Sequence, residues 1–275
     1  MWTLSAFGDE IGDDLELQLE VLRGEGIRHL ELRKAWGTNV LDLTDGELGR
    51  VQALLAAAGV RVSAIGSPIG KIDIGDDFAP HLQRLARSLE VAAALQTPYI
   101  RIFSFRLPAD SPPAAHRAEV LHRLGELLRQ AEAAGAVLLL ENEKRTYADT
   151  DERMADVFTS LPSPHLRGTF DPANFVQVGV QPFPQAYTRL QPHIAYLHLK
   201  DARFGTRTVM PVGEGDGALG ELLRAARHDG YDGFLSLEPH LKKSPDYLHL
   251  DHPGQFRAAA EACRQLLDRL EIPWS

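Results

Sequence analysis

Four short apolar segments of this 275-residue chain lead into a residue that can bind a cation or move a proton. Val137–Leu140 runs into Glu141, Leu166–Phe170 into Asp171 and Phe234–Leu237 into Glu238, while Ile194–Leu199 carries His198. In the stretch Tyr196-Leu-His-Leu-Lys-Asp201, His198 and Lys200 share one face, because side chains alternate along a strand. Three carboxylates gathered at one mouth repel, and at least one takes up a proton unless a cation neutralises them. One imidazole with three carboxylates suits Mn²⁺ or Mg²⁺, with Co²⁺ and Zn²⁺ as alternatives. The same residue types have a plainer use, in which strand-terminal acids cap helices and pair with rim bases.

Those four residues meet only if the elements between them bring the strand ends together. Short apolar runs alternate with longer amphipathic ones along the whole chain. Leu4–Phe7 precedes a helix over Asp13–Gly24 whose Leu15, Leu19 and Leu22 share a face. Ile27–Leu32 precedes a helix capped by Thr44 and Glu47 that stops at Gly59. Val60–Ile65 precedes Phe78–Leu95, Tyr99–Phe103 precedes Ala114–Ala134, and Val137–Leu140 precedes Asp151–Ser160. Leu166–Phe170 is followed by a short helix over Phe183–Leu190, Ile194–Leu199 by Ala218–His228, and Phe234–Leu237 by Phe256–Leu270. Eight such units indicate an α/β chain folded as one (β/α)8 TIM barrel spanning residues 1–275, with its active site at the carboxyl ends of the strands. An open doubly wound sheet would carry a glycine-rich phosphate turn after its first strand, and Phe7-Gly-Asp-Glu10 is acidic instead.

Hydrophobic residues make up 44% of the chain and charged residues 24%, the balance of a globular protein with a sizeable core. A net charge of −9 argues against a nucleic-acid partner. Cys263 is the only cysteine, which excludes an internal disulfide and a thiolate cluster, and its neighbours make it a small core residue. No basic leader and no apolar run of about 18 residues is present, so the expectation is a cytoplasmic protein without a membrane partner.

The chain resembles the sugar phosphate isomerase/epimerase group of xylose isomerase-like barrels. The resemblance rests on Leu-Glu141-Asn, Phe-Asp171-Pro-Ala-Asn174-Phe, His198-Leu-Lys200-Asp201 and Leu-Glu238-Pro. Asp9-Glu10-Ile, Glu31-Leu-Arg33 and Ser67-Pro-Ile-Gly-Lys71 add to it. It implies one divalent metal ion, Mn²⁺ first, held by Glu141, Asp171, His198 and Glu238, with Glu141 and Glu238 also carrying protons. Such an ion stabilises an enediolate while one carboxylate removes the proton beside a carbonyl. Return of that proton to the other face epimerises the carbon, and return to the neighbouring carbon isomerises the sugar. Loss of a β-hydroxyl instead dehydrates it. Where ketose epimerases carry a histidine three residues after the strand-six aspartate, this chain has Asn174, which can bond a sugar hydroxyl but cannot shuttle a proton.

The expected function is therefore a metal-dependent isomerase or epimerase of a small sugar, polyol or sugar phosphate. An inosose-type or dehydroshikimate-type dehydratase is the alternative. An endonuclease IV-like phosphodiesterase, a retaining glycosidase and a sugar-binding barrel without turnover are further readings. The expected substrate contacts are Asn174, Lys200, Arg203, Lys71, His240 and Glu10. Lys200 alternatively pairs with Asp201 or a rim acid, and Glu10 alternatively caps the following helix. Arg33 and Trp36 are further candidates at the second strand's end, and His249 and His252 are surface or lid residues. A homo-oligomer is compatible with all of these readings.

Overall fold

A computed structural model of the chain describes residues 1–206 and 208–275. Its strands are β1 (Thr3–Phe7), β2 (His29–Leu32), β3 (Arg61–Ile65), β4 (Tyr99–Ile102), β5 (Val137–Glu141), β6 (Leu166–Phe170), β7 (Ile194–Leu199) and β8 (Phe234–Leu237). Each is parallel to its sequence neighbours, and β1 pairs with β8, so the sheet closes as the expected (β/α)8 barrel. Closure leaves no free sheet edge and gathers all the strand ends at one rim.

The outer helices are α1 (Leu15–Gly24), α2 (Asp45–Ala58), α3 (Ala79–Ala94), α4 (Arg117–Ala134), α5 (Asp151–Ser160), α6 (Pro172–Gln177), α7 (Tyr187–Leu190), α8 (Leu219–His228) and α9 (His252–Arg269). Their ends follow local chemistry. Thr44 and Glu47 form the expected capping box on α2, and Gly59 closes it at φ 64°. α1 starts at Leu15 rather than Asp13 and is capped by Asp14, and Asp251 caps α9 through the Gly254 N–H, which starts that helix four residues before Phe256. The segment expected as a helix over Phe183–Leu190 is regular only in α7, because Phe183 is extended (φ −136°, ψ 140°). Two small antiparallel pairs, Lys34–Ala35 with Thr38–Asn39 and Asp201–Ala202 with Val209–Met210, fall below the length at which alternation shows in a sequence.

Inside the barrel, Tyr196 packs with Leu139 and Ala64. Its hydroxyl reaches Ser63 Oγ at 2.8 Å, and Ser63 reaches Ser5 Oγ at 2.6 Å. This layer forms a floor beneath the residues at the strand ends. The β2–β3 ladder shifts register between Leu30 and Glu31, and the β6–β7 ladder between Gly168 and Thr169. Irregularities of this kind re-aim side chains beside functional sites.

Candidate metal and catalytic centre

His198 stands on β7 beside Ser236 of β8, two residues beyond the interior Tyr196. Its ring is wholly buried, with Phe7 edge-on at 5.4 Å and Tyr196 at 5.9 Å. Nδ1 lies 3.5 Å from Glu141 Oε1, 3.7 Å from Asp171 Oδ2 and 4.0 Å from Glu238 Oε2. One atom from each of the four residues falls within a 4.8 Å cluster. The structure thus brings together the four residues expected as metal ligands.

The ends of the strands hold this arrangement. The Asn142 side chain bridges β5 and β6, donating to the Asp171 carbonyl at 2.9 Å and accepting the Asp171 N–H at 2.8 Å. Asp171 then divides its carboxylate. Oδ1 caps α6 by accepting the Asn174 N–H at 2.9 Å, and Oδ2 faces the cluster. The capping use foreseen for strand-terminal acids is thus met by Oδ1, while Oδ2 stays turned toward the cluster.

Lys200 is buried with Nζ 2.8 Å from Asp171 Oδ2, 3.2 Å from Glu238 Oε2 and 3.0 Å from Asn174 Oδ1. Its partners are cluster acids, not Asp201, whose carboxylate accepts N–H groups from Ala202, Gly213, Gly215 and Gly217. Asn174 is 2% exposed and donates to Glu141 Oε1 at 2.9 Å, so both ends of its amide are engaged within the cluster.

A second ring of charges surrounds the first. Arg33 donates to Asp9 at 2.7 Å, Glu10 at 2.9 Å and Glu238 Oε1 at 2.8 Å, and stacks over Phe7. His240 Nδ1 lies 2.8 Å from Glu10 and its Nε2 3.6 Å from Glu238. Glu10 does not cap α1, since Asp14 does, and it faces Arg33, His240 and Lys242 instead. Lys71 pairs with Glu143 at 2.9 Å over the Phe103 ring. Arg203 is exposed on the turn of the small hairpin after β7 and has no ion pair with the cluster among the described residues. Trp36 bonds Glu16 and carries Arg50 on its face, and His249 and His252 are exposed. Cys263 is buried, as its sequence neighbours suggest.

Burial works against charge here, and the partners outweigh it. It pushes Glu141 upward, yet His198 and Arg101 hold that carboxyl below the usual carboxylate range. Burial likewise raises Glu238, and Lys200, His240 and Arg33 bring it well below. Burial lowers His198, while Glu31 and Glu141 hold it well above the ordinary imidazole value. Burial also lowers Lys200, and Asp171 and Glu238 keep it an ammonium. Glu10, raised by burial, is drawn down to about 2 by its hydrogen bond and charge pairing with His240, then by Arg33 and Lys242.

Two members of the site lie inside strands, beyond a reading confined to strand ends. Glu31, noted only within the Glu31-Leu-Arg33 fragment, accepts from His198 Nε2 at 3.2 Å with no exposure. Arg101 donates to Glu141 Oε2 at 3.1 Å and to the Ser67 carbonyl at 3.2 Å. Charged residues inside otherwise apolar strands, in His-Leu-Glu31-Leu and Tyr-Ile-Arg101-Ile, were the available signal.

The residues fit a divalent ion. His198 Nδ1 is buried without a hydrogen-bond partner among the described residues, and it faces three carboxylates. Donors held about 2.1 Å from a common ion lie within about 4.2 Å of one another. Each of the three carboxylate oxygens stands within that distance of Nδ1.

The chain is 26% identical over 208 residues to fructoselysine 3-epimerase of Escherichia coli O157:H7, covering 72% of this chain and 74% of that protein. A xylose isomerase-like TIM barrel protein of Mycobacterium smegmatis, solved in complex with magnesium, superposes with a TM-score of 0.76 at 18% identity. That match covers 98% of this chain and 97% of the other. A probable 3-DHS dehydratase of Bacillus anthracis matches with a TM-score of 0.74 at 18% identity, over 96% and 98% of the two chains. The family model for xylose isomerase-like TIM barrels matches residues 19–268, and the chain belongs to that family.

Proposed function

We propose that the protein is a divalent-metal-dependent isomerase or epimerase of a small sugar or sugar derivative. The observation that carries this reading is the convergence of two buried carboxylates, Glu141 and Glu238, on the unpartnered Nδ1 of His198. They come from β5 and β8, with the strands leading to Asp171 and His198 between them. Glu141, Asp171, His198 and Glu238 would hold the ion. When bound, it supplies positive charge against the oxyanion that forms beside a carbonyl as the α-proton leaves.

Both glutamates are held ionised, so either can accept that proton. Arg101 fixes Glu141 Oε2 and Asn174 fixes Oε1, which restricts that carboxylate's rotation. Arg33 and Lys200 hold the two oxygens of Glu238 in the same way. A proton taken by one glutamate and returned by the other inverts the carbon, and return to the adjacent carbon interconverts ketose and aldose.

Lys200 favours a dehydratase as the second reading. Its ammonium lies 3.2 Å from Glu238 Oε2. A carboxylate that removes an α-proton beside an ammonium that protonates a β-hydroxyl yields a carbon–carbon double bond and water.

Protein stripped with chelator and reloaded with Mn²⁺ in D2O, then offered ketoses, ketose phosphates and inososes, separates these outcomes. Solvent deuterium entering the sugar without water loss supports the isomerase or epimerase, and water loss supports the dehydratase. No reaction across the panel by protein that binds the ion would overturn both. Glu238→Gln is expected to lower turnover by about 10²–10⁴-fold with the fold intact.

A further inference from the structure

An imidazole can bind a cation through either ring nitrogen, and the hydrogen bond made by the other nitrogen decides which one. The two nitrogens of His198 face different surroundings. Nε2 meets Glu31 Oε2 at 3.2 Å, whereas Nδ1 faces Glu141, Asp171 and Glu238 at 3.5, 3.7 and 4.0 Å. A half-turn of the ring about Cβ–Cγ would put carbon against both sides and forfeit both relationships. Phe7 and Tyr196 hold the ring edge-on from two further directions.

Glu31 has no packing reason to be a glutamate. It is wholly buried on β2, its Oε1 has no hydrogen-bond partner among the described residues, and its Oε2 touches His198. A carboxylate taken out of water costs several kcal/mol unless it is paired. The floor beneath it is already completed by Tyr196, Ser63 and Ser5. The β2–β3 ladder changes register at this residue, skipping Ser63.

We propose that Glu31 is a positioning residue: it accepts the Nε2–H of His198 and so presents Nδ1, unprotonated, to a divalent ion shared with Glu141, Asp171 and Glu238. The inference rests on the metal-centre reading above and extends it to a residue outside the ligand set. Glu31 also makes the imidazole a stronger donor, as carboxylate partners of metal-bound histidines do.

Zinc is a suitable diamagnetic probe. In ¹⁵N-histidine-labelled wild type loaded with Zn²⁺, the His198 signals, identified by their loss in His198→Gln, should show a protonated Nε2 and a metal-bound Nδ1. The reverse pattern would overturn the proposal. Calorimetric titration of metal-free protein with Zn²⁺ and Mn²⁺ should give about 10–100-fold weaker binding for Glu31→Leu. Glu31→Gln should lose less, because its carbonyl oxygen still accepts the Nε2–H, and it serves as the variant if Glu31→Leu fails to fold. A purely structural Glu31 would lower the melting temperature of the metal-free protein and leave affinity unchanged, and that result would sink the proposal. Wild type that binds neither ion would overturn the metal centre itself, whereas strong binding by folded wild type and Glu31→Leu alike would overturn only the role of Glu31.

Discussion

Both ends of the Asn174 amide are spent on neighbours, Nδ2 on Glu141 Oε1 and Oδ1 on the Lys200 ammonium. The role we propose for a residue so engaged is to hold the Glu141 carboxylate, as an alternative to the expected bond to a sugar hydroxyl. Asn174→Ala is expected to lower kcat by about tenfold or more, the loss of one hydrogen bond to a charged group, while KM stays nearly unchanged. Steady-state kinetics on the sugar found in the deuterium screen checks this, and a raised KM with unchanged kcat would return Asn174 to substrate binding. The four proposed ligands were legible in the sequence because barrel chemistry collects at strand ends, and Glu141, Asp171, His198 and Glu238 are there. Glu31 and Arg101 were not, because they lie within β2 and β4, where alternation places a side chain inside a barrel interior expected to be apolar. Only the three-dimensional fold shows that these interior charges lean on His198 and Glu141.

The loop from β7 to α8 is shaped by one carboxylate. Asp201 Oδ2 accepts the N–H groups of Gly213 and Gly215, and Oδ1 those of Gly217 and Ala202, all at 2.8–3.0 Å. A Cβ on Gly215 would stand 2.6 Å from the Ala202 carbonyl oxygen, a backbone atom with little freedom to retreat. The glycines let the backbone wrap an acid of its own chain and anchor the strand end that bears His198 and Lys200. Asp201→Ala strands those four donors and should cost about 2 kcal/mol or more, seen as a melting temperature several degrees lower. An unchanged melting curve would show that the loop re-forms without the acid. At this scale, caps made helices readable, as Thr44 and Glu47 did for α2. The hairpin at Asp201–Ala202 was not readable, because its two-residue strands are fixed by the partner they find rather than by their own pattern.

Acid should unfold the barrel in a manner that net charge alone would misjudge. The chain carries −9 at neutral pH with a pI near 5.7, so self-repulsion would weaken on acidification toward that point and favour the fold. Two buried histidines oppose this. Burial holds His29 down to about 4, with help from Arg61, and burial holds His81 down to about 4, with help from Arg84 and Arg123. His81 Nε2 accepts the Gly70 N–H at 2.6 Å, a role only the neutral ring can fill, and so ties α3 to the loop after β3. Between pH 6.5 and about 4 the unfolded chain binds protons at these residues that the folded chain refuses, so stability falls as pH falls through that window. His198, held well above its ordinary value, is protonated in the folded state throughout, and its opposing contribution fades as the unfolded ring takes up its own proton below pH 6.5. Glu10 acts lower: its depressed carboxyl adds stability above about pH 4.5 that is lost as pH falls toward 2. Urea midpoints measured in chelator should therefore decline from pH 6.5 to 4, and His81→Gln, whose amide oxygen can accept the same N–H, should flatten that decline while leaving the loss below pH 4.5. A wild-type midpoint that rises toward pH 5.7, or a slope that His81→Gln leaves unaltered, would refute the assignment. The eight strand-and-helix units that made the barrel legible could not foretell this, since His29 meets Phe234 of β8 and His81 meets Phe105, neighbours that come together only once the sheet has closed.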